Sequence, residues 1–104
     1  MEKFIITVET LFTSDFGDRE CRRINKIGLI KADSLWSAMK KAKAIAKKKM
    51  AWSSEKMETF WGYGSVTIQN EFDGLYPSYE DYGVEVTLRR LENKKDGDVL
   101  WAEE

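Results

Sequence analysis

One segment of this chain is patterned for a helix, and the segments on both sides of it are patterned for strands. Residues 33–50 read DSLWSAMKKAKAIAKKKM, with four alanines and six lysines, residues of high helix propensity. Either Asp33 or Ser34 can cap the first turn through its side-chain oxygen. Apolar side chains with helical spacing share one face, namely Leu35, Ala38, Met39, Ala42, Ile45, Ala46 and Met50. This face predicts a helix that packs on a sheet.

The chain before the helix predicts a hairpin. Residues 3–12 are rich in β-branched and aromatic side chains and alternate with period two, which is typical of a strand. A turn signal, TSDFGD, follows at residues 13–18, and residues 20–31 return to extended character. Two strands separated by such a turn pair as antiparallel neighbours.

The chain after the helix predicts two further strands. Residues 61–72 alternate around two apolar positions, with Gly62 and Gly64 at their start, where a bulge is expected. Residues 82–92, YGVEVTLRRLE, alternate clearly, and an Asp-Gly turn signal separates them from VLWAEE at residues 99–104. The last segment predicts a short additional strand.

The order strand, strand, helix, strand, strand predicts an α+β two-layer sandwich, with one helix on a four- or five-stranded antiparallel sheet. At 104 residues the chain is expected to form a single domain, 1–104. The face away from the helix is expected to meet water, because many of its side chains are polar. These are Thr7, Glu9, Thr67, Gln69, Glu85 and Thr87.

The strand-to-helix junction IGLIKADSLWSAMKKAKAIAKK resembles a family of small, functionally uncharacterised bacterial proteins, in which a strand ending in ADS leads into an alanine-rich helix. The resemblance covers most of the chain. It implies the strand-strand-helix-strand-strand layout and assigns no catalytic residues.

Charge is distributed in blocks along the chain, although the net charge is only −1. Residues 1–18 carry one lysine against four acids, residues 19–49 carry eleven basic residues against two acids, and residues 50–104 carry five basic residues against twelve acids. The blocks therefore have charges of −3, +9 and −7. Such a layout either neutralises itself within the fold or presents opposite charges to partners.

Several enzyme classes are unlikely on composition, and we expect no enzyme, metal site or cofactor. The chain has no histidine and one cysteine, Cys21, so a histidine-activated nucleophile and a paired-thiolate zinc site both lack their groups. No phosphate-binding loop occurs. The acid pairs Glu71/Asp73 and Asp96/Asp98 have the oxygen ligands of a hard cation but no further ligands beside them.

The helix is a candidate for nucleic-acid binding. Trp36, Lys40, Lys43 and Lys47 share one side of the helical wheel, and a ring beside ammonium groups can stack on bases while the lysines neutralise phosphates. The alternative is that the lysines only favour the helix and its C-terminal dipole while they face water. The sequence pI of about 5.6 favours this alternative.

The acidic, tyrosine-rich stretch NEFDGLYPSYEDYG is the candidate for protein binding, since aromatic rings anchor interfaces and the acids would attract a basic partner. Its contact residues are predicted to be Phe72, Asp73, Tyr76, Tyr79, Glu80, Asp81 and Tyr82. The alternative is a loop packed on its own fold. An exposed sheet edge would also allow a homodimer.

Taken together, the pattern predicts a small non-enzymatic module, cytoplasmic and without a membrane segment, that acts by contact with another protein bearing a basic surface. Inhibitors or neutralisers encoded by phages or mobile elements are the class expected to look like this. Nucleic-acid binding by the lysine-rich helix is the second hypothesis.

Overall fold

The computed structural model describes residues 1–13, 20–53, 56–71 and 81–91. Five strands form one antiparallel sheet in the order β2-β1-β5-β4-β3, and one helix packs on it. The elements are β1 (Glu2–Thr13), β2 (Glu20–Ala32), α1 (Leu35–Lys49), β3 (Met57–Gly62), β4 (Ser65–Asn70) and β5 (Asp81–Leu91). The predicted α+β fold class is confirmed.

Helix α1 begins where the sequence places its cap. Ser34 has an extended backbone, and its Oγ accepts a hydrogen bond from the Ser37 N–H at 3.1 Å, so one of the unpaired donors of the first turn is satisfied. At the other end the N–H of Met50 still donates to the carbonyl of Ala46 at 3.0 Å. Of the two predicted caps, Ser34 is the one used.

The core lies between α1 and one face of the sheet. On the helix side, Ala38, Ala42 and Ala46 have no exposed surface. On the sheet side the buried aliphatic and aromatic side chains come mainly from the central strands: Phe4, Ile6, Val8, Val66, Ile68, Val84, Val86 and Leu88. Because the helix presents alanines there, its backbone lies close to the strands.

The segment after the helix differs from the sequence prediction in one respect. Gly62 and Gly64 do not form a bulge at the start of one strand; Gly62 ends β3, and Gly64 lies in the two-residue turn of the hairpin between β3 and β4. Gly64 has a φ of 76°, a left-handed conformation that glycine adopts without strain. Its carbonyl accepts the Leu88 N–H at 2.7 Å. The fifth strand is therefore β3, and VLWAEE lies outside the described residues.

The opposite face of the sheet, called the open face below, carries a cluster of charges. Arg22 bonds to Glu85 and lies 3.2 Å from Glu20 and 3.5 Å from Glu9. Its hydrogen bond to Glu85 is the main reason that the pKa of the Arg22 guanidinium is raised, and it stays protonated. Thr67 donates to the same Glu85 at 3.1 Å. The polar face predicted from the sequence is thus held together by side-chain bonds.

The close approach of α1 to the sheet predicts that Ala42→Leu destabilises the protein by about 1–3 kcal/mol, because a larger side chain has no space in this interface. Ala44→Leu is the matched control, since Ala44 is exposed on the same helix and surface changes usually stay within about 0.5 kcal/mol. Urea unfolding measures both. Equal losses for the two variants would contradict this packing.

Candidate functional site

Two exposed tryptophans meet where α1 passes the edge strand β3. The ring centroids of Trp36 and Trp61 lie 5.1 Å apart with the planes tilted by 45°, within the range of attractive aromatic pairs. The Lys43 Nζ lies 5.5 Å from the Trp61 ring centroid, which is a cation–π distance. The two side chains remain 55% and 43% exposed. The cluster is therefore ordered by its own contacts and still open to a ligand.

The local sequence explains why these rings meet. Trp36 is the second residue of α1, on the side of the helix away from the buried alanines. Trp61 pairs with Val66 across β3 and β4, and directly opposite residues point to the same face of a sheet. Val66 is buried under the helix. Trp61 consequently points to the helix side of the sheet, at its outermost strand.

The helix lysines are exposed beside this pair. Lys40 and Lys47 face solvent, whereas Lys43 is half-buried against Trp61. The Lys41 ammonium group donates a hydrogen bond to the Lys31 carbonyl at 2.5 Å, so this side chain links α1 to β2. No ion pair joins a lysine of α1 to a carboxylate within the described part of the chain. None of the described carboxylates therefore neutralises these lysines by direct pairing.

We call Trp36, Lys40, Lys43, Lys47 and Trp61 the tryptophan–lysine face. The sequence predicted its first four members as one side of the helix, and the structure adds Trp61, which contacts Trp36 and Lys43. The fifth was missed because β3 was not recognised as a strand. The alternation METFWG around Thr59 and Trp61 is the signal that could have placed this ring.

The predicted protein-contact residues are only partly described. Phe72, Asp73, Tyr76, Tyr79 and Glu80 lie outside the described residues. The other two belong to β5 and make contacts within the fold. Asp81 pairs with Arg23 at 3.0 Å, and the Tyr82 ring is fully buried, with its hydroxyl donating to Glu20 at 2.7 Å. Tyr82 is therefore part of the packing in this structure.

The acid pairs and the cysteine singled out in the sequence lie apart where the structure describes them. No group of three or more carboxylate or cysteine side chains among residues 1–13, 20–53, 56–71 and 81–91 is arranged to hold a metal ion. Glu71 lies 3.8 Å from Lys56, while Asp73, Asp96 and Asp98 lie outside the described residues. Cys21 is half-buried on β2.

Comparison with known proteins finds no matching family model, no matching curated protein and no matching solved structure. The predicted layout of two strands, a helix and further strands is present, and no comparison links it to a family. The described residues contain no helix that is both long and apolar enough to span a bilayer.

The ring contact predicts a measurable coupling between Trp36 and Trp61. In a double-mutant cycle with alanine, the free energies of unfolding should show a coupling of about 0.5–1.5 kcal/mol, as aromatic pairs do. The cycle between Trp52 and Trp61 is the control, because Trp52 follows the far end of α1 and is exposed. A coupling near zero for the first cycle, or an equal one for the second, would contradict the contact.

Proposed function

We propose that this protein is a binding module for single-stranded nucleic acid and that the tryptophan–lysine face is its contact surface. The observation that carries the proposal is the exposed Trp36–Trp61 pair with Lys43 beside it. An exposed ring pair next to lysines that form no ion pair with the described carboxylates combines the two groups that contact single strands.

The rings favour a single strand over a duplex. A base can stack on an indole only when its own face is accessible, and in a duplex the neighbouring base pairs cover it. Stacking on an aromatic side chain contributes about 1–3 kcal/mol per base and depends little on sequence. The chain offers no arginine on α1 for bidentate reading of a base edge. The expected binding is therefore tolerant of sequence.

The lysines supply the phosphate contacts. Helix α1 has 15 residues and is about 22 Å long at the usual rise per residue. Its six lysines have no acid between them, so its local charge is strongly positive despite the net charge of −1. At about 0.1 M salt, charges separated by more than about 10 Å are largely screened. A bound strand would hence respond to the charge of the helix more than to any charge that lies beyond this distance.

Protein contact through residues 72–82 stays a prediction. Its two described members, Asp81 and Tyr82, are engaged within the fold, and its other members lie outside the described residues. The tryptophan–lysine face, by contrast, presents exposed rings and lysines side by side, which favours nucleic acid as the ligand.

Fluorescence anisotropy with a labelled oligothymidine tests the proposal at several salt concentrations. We expect the logarithm of the binding constant to fall linearly with the logarithm of the salt concentration. The magnitude of this slope should decrease by about 0.7 in Lys40→Gln, because one phosphate contact is lost. Lys3→Gln is the matched control, since Lys3 is an exposed lysine of β1 on the open face. The same slope in the wild type and both variants would contradict the placement.

The aromatic contribution is tested in the same titration. Trp36→Ala should weaken the binding free energy by about 1–3 kcal/mol, which is the contribution of one stacked base. Trp52→Ala should leave the binding free energy unchanged. A duplex of the same length should bind more weakly than the single strand. If no oligonucleotide is retained even at low salt, the proposed function is wrong.

A further inference from the structure

Strand β2 is a long outer strand with an exposed surface. It has 13 residues, of which nine are exposed, and it lies at the end of the sheet order. No strand pairs with its outer edge within the described sheet. An outer strand of this length presents a row of backbone donors and acceptors that another strand can use.

A bulge gives β2 an apolar stripe. Ile24 lies opposite Glu9 and Lys26 lies opposite Val8, so Asn25 is the additional residue. Beyond it, Ile27 and Leu29 lie opposite Thr7 and Ile5. The bulge therefore places two isoleucines that are three residues apart on the same open face. We call Ile24, Ile27 and Leu29 the β2 stripe; they are 60%, 57% and 51% exposed.

We propose that the β2 stripe and its edge bind a second copy of this chain, with the two β2 strands antiparallel about a two-fold axis midway between Asn25 and Lys26. In that register Ile24 lies opposite the partner's Ile27, so aliphatic side chains meet at the centre. Arg22 then lies opposite the partner's Leu29, and Lys26 opposite the partner's Asn25. No two like charges face each other.

Charge complementarity selects this occupant and this register. Glu20 and Lys31 lie at opposite ends of β2 and both are exposed. The proposed axis places each Glu20 opposite the partner's Lys31, so two ion pairs close the ends. Moving the register by one residue toward the C-terminus brings Lys26 opposite its own copy, and moving it by two brings Arg22 opposite Lys31. Like charges directly opposite are destabilising.

The groups needed for these end pairs are available. Glu20 accepts the Tyr82 hydroxyl at Oε1 and Arg22 at Oε2, and a carboxylate has further acceptor positions for a lysine. The bulge interrupts backbone pairing near the axis. Association is therefore expected to depend on the stripe and on the end pairs as well as on main-chain bonds.

Sedimentation velocity over a range of protein concentrations tests the dimer. We expect a monomer–dimer equilibrium that Lys31→Glu weakens by about tenfold, because each end then has two facing acids. Glu20→Gln/Lys31→Glu should recover much of the dimer, since the amide removes the repulsion and can still accept from Tyr82. Lys48→Glu is the control with the same charge change on α1. A wild type that is monomeric at every concentration overturns the proposal.

Disulfide trapping tests the register in a Cys21→Ser background. Ile24→Cys and Ile27→Cys chains, mixed and oxidised, should crosslink to each other faster than either does alone, because directly opposite positions meet disulfide geometry. Ile24→Cys mixed with Leu29→Cys should crosslink more slowly. Equal rates in all mixtures would overturn the proposed pairing.

Discussion

The rest of the structure depends on the close contact between the alanines of α1 and the central strands. Ala38, Ala42 and Ala46 are completely buried, and their small side chains bring the helix backbone near β4 and β5. Since the alanines occupy the inner side, the lysines are left on the outer sides. The same packing places the first turn of the helix at the edge of the sheet, where the Trp36 ring contacts the Trp61 ring.

Among the described residues, the lysines of α1 and the carboxylates around Arg22 lie on opposite sides of the sheet. The helix side carries six lysines that have no described acidic partner. On the open face, Arg22 is surrounded by three carboxylates from three strands. These three carboxylates are therefore engaged in contacts within the sheet. The helix side is the one that we propose to contact an anionic polymer.

Much of the fold could be predicted because its signals are local. The Ser34 cap, the alanine face and the alternation in β1 and β5 each lie within one element. The β3–β4 hairpin was not predicted, because glycines near a strand start indicate either a bulge or a turn, and only pairing with β5 decides between them. The bulge at Asn25 was also missed, since it depends on the register with β1. For the same reason Trp61 and the β2 stripe were not foreseen.

The central claim is that the tryptophan–lysine face is where a single strand binds. Amide and indole N–H spectra of ¹⁵N-labelled protein, recorded during titration with an oligothymidine, test it most directly. We expect shifts of the Trp36 and Trp61 indole signals and of the backbone of α1 around Lys40 and Lys47, with the Trp52 indole unaffected. Shifts confined to the open face or to residues 72–82, or no shifts at saturating oligonucleotide, would contradict it.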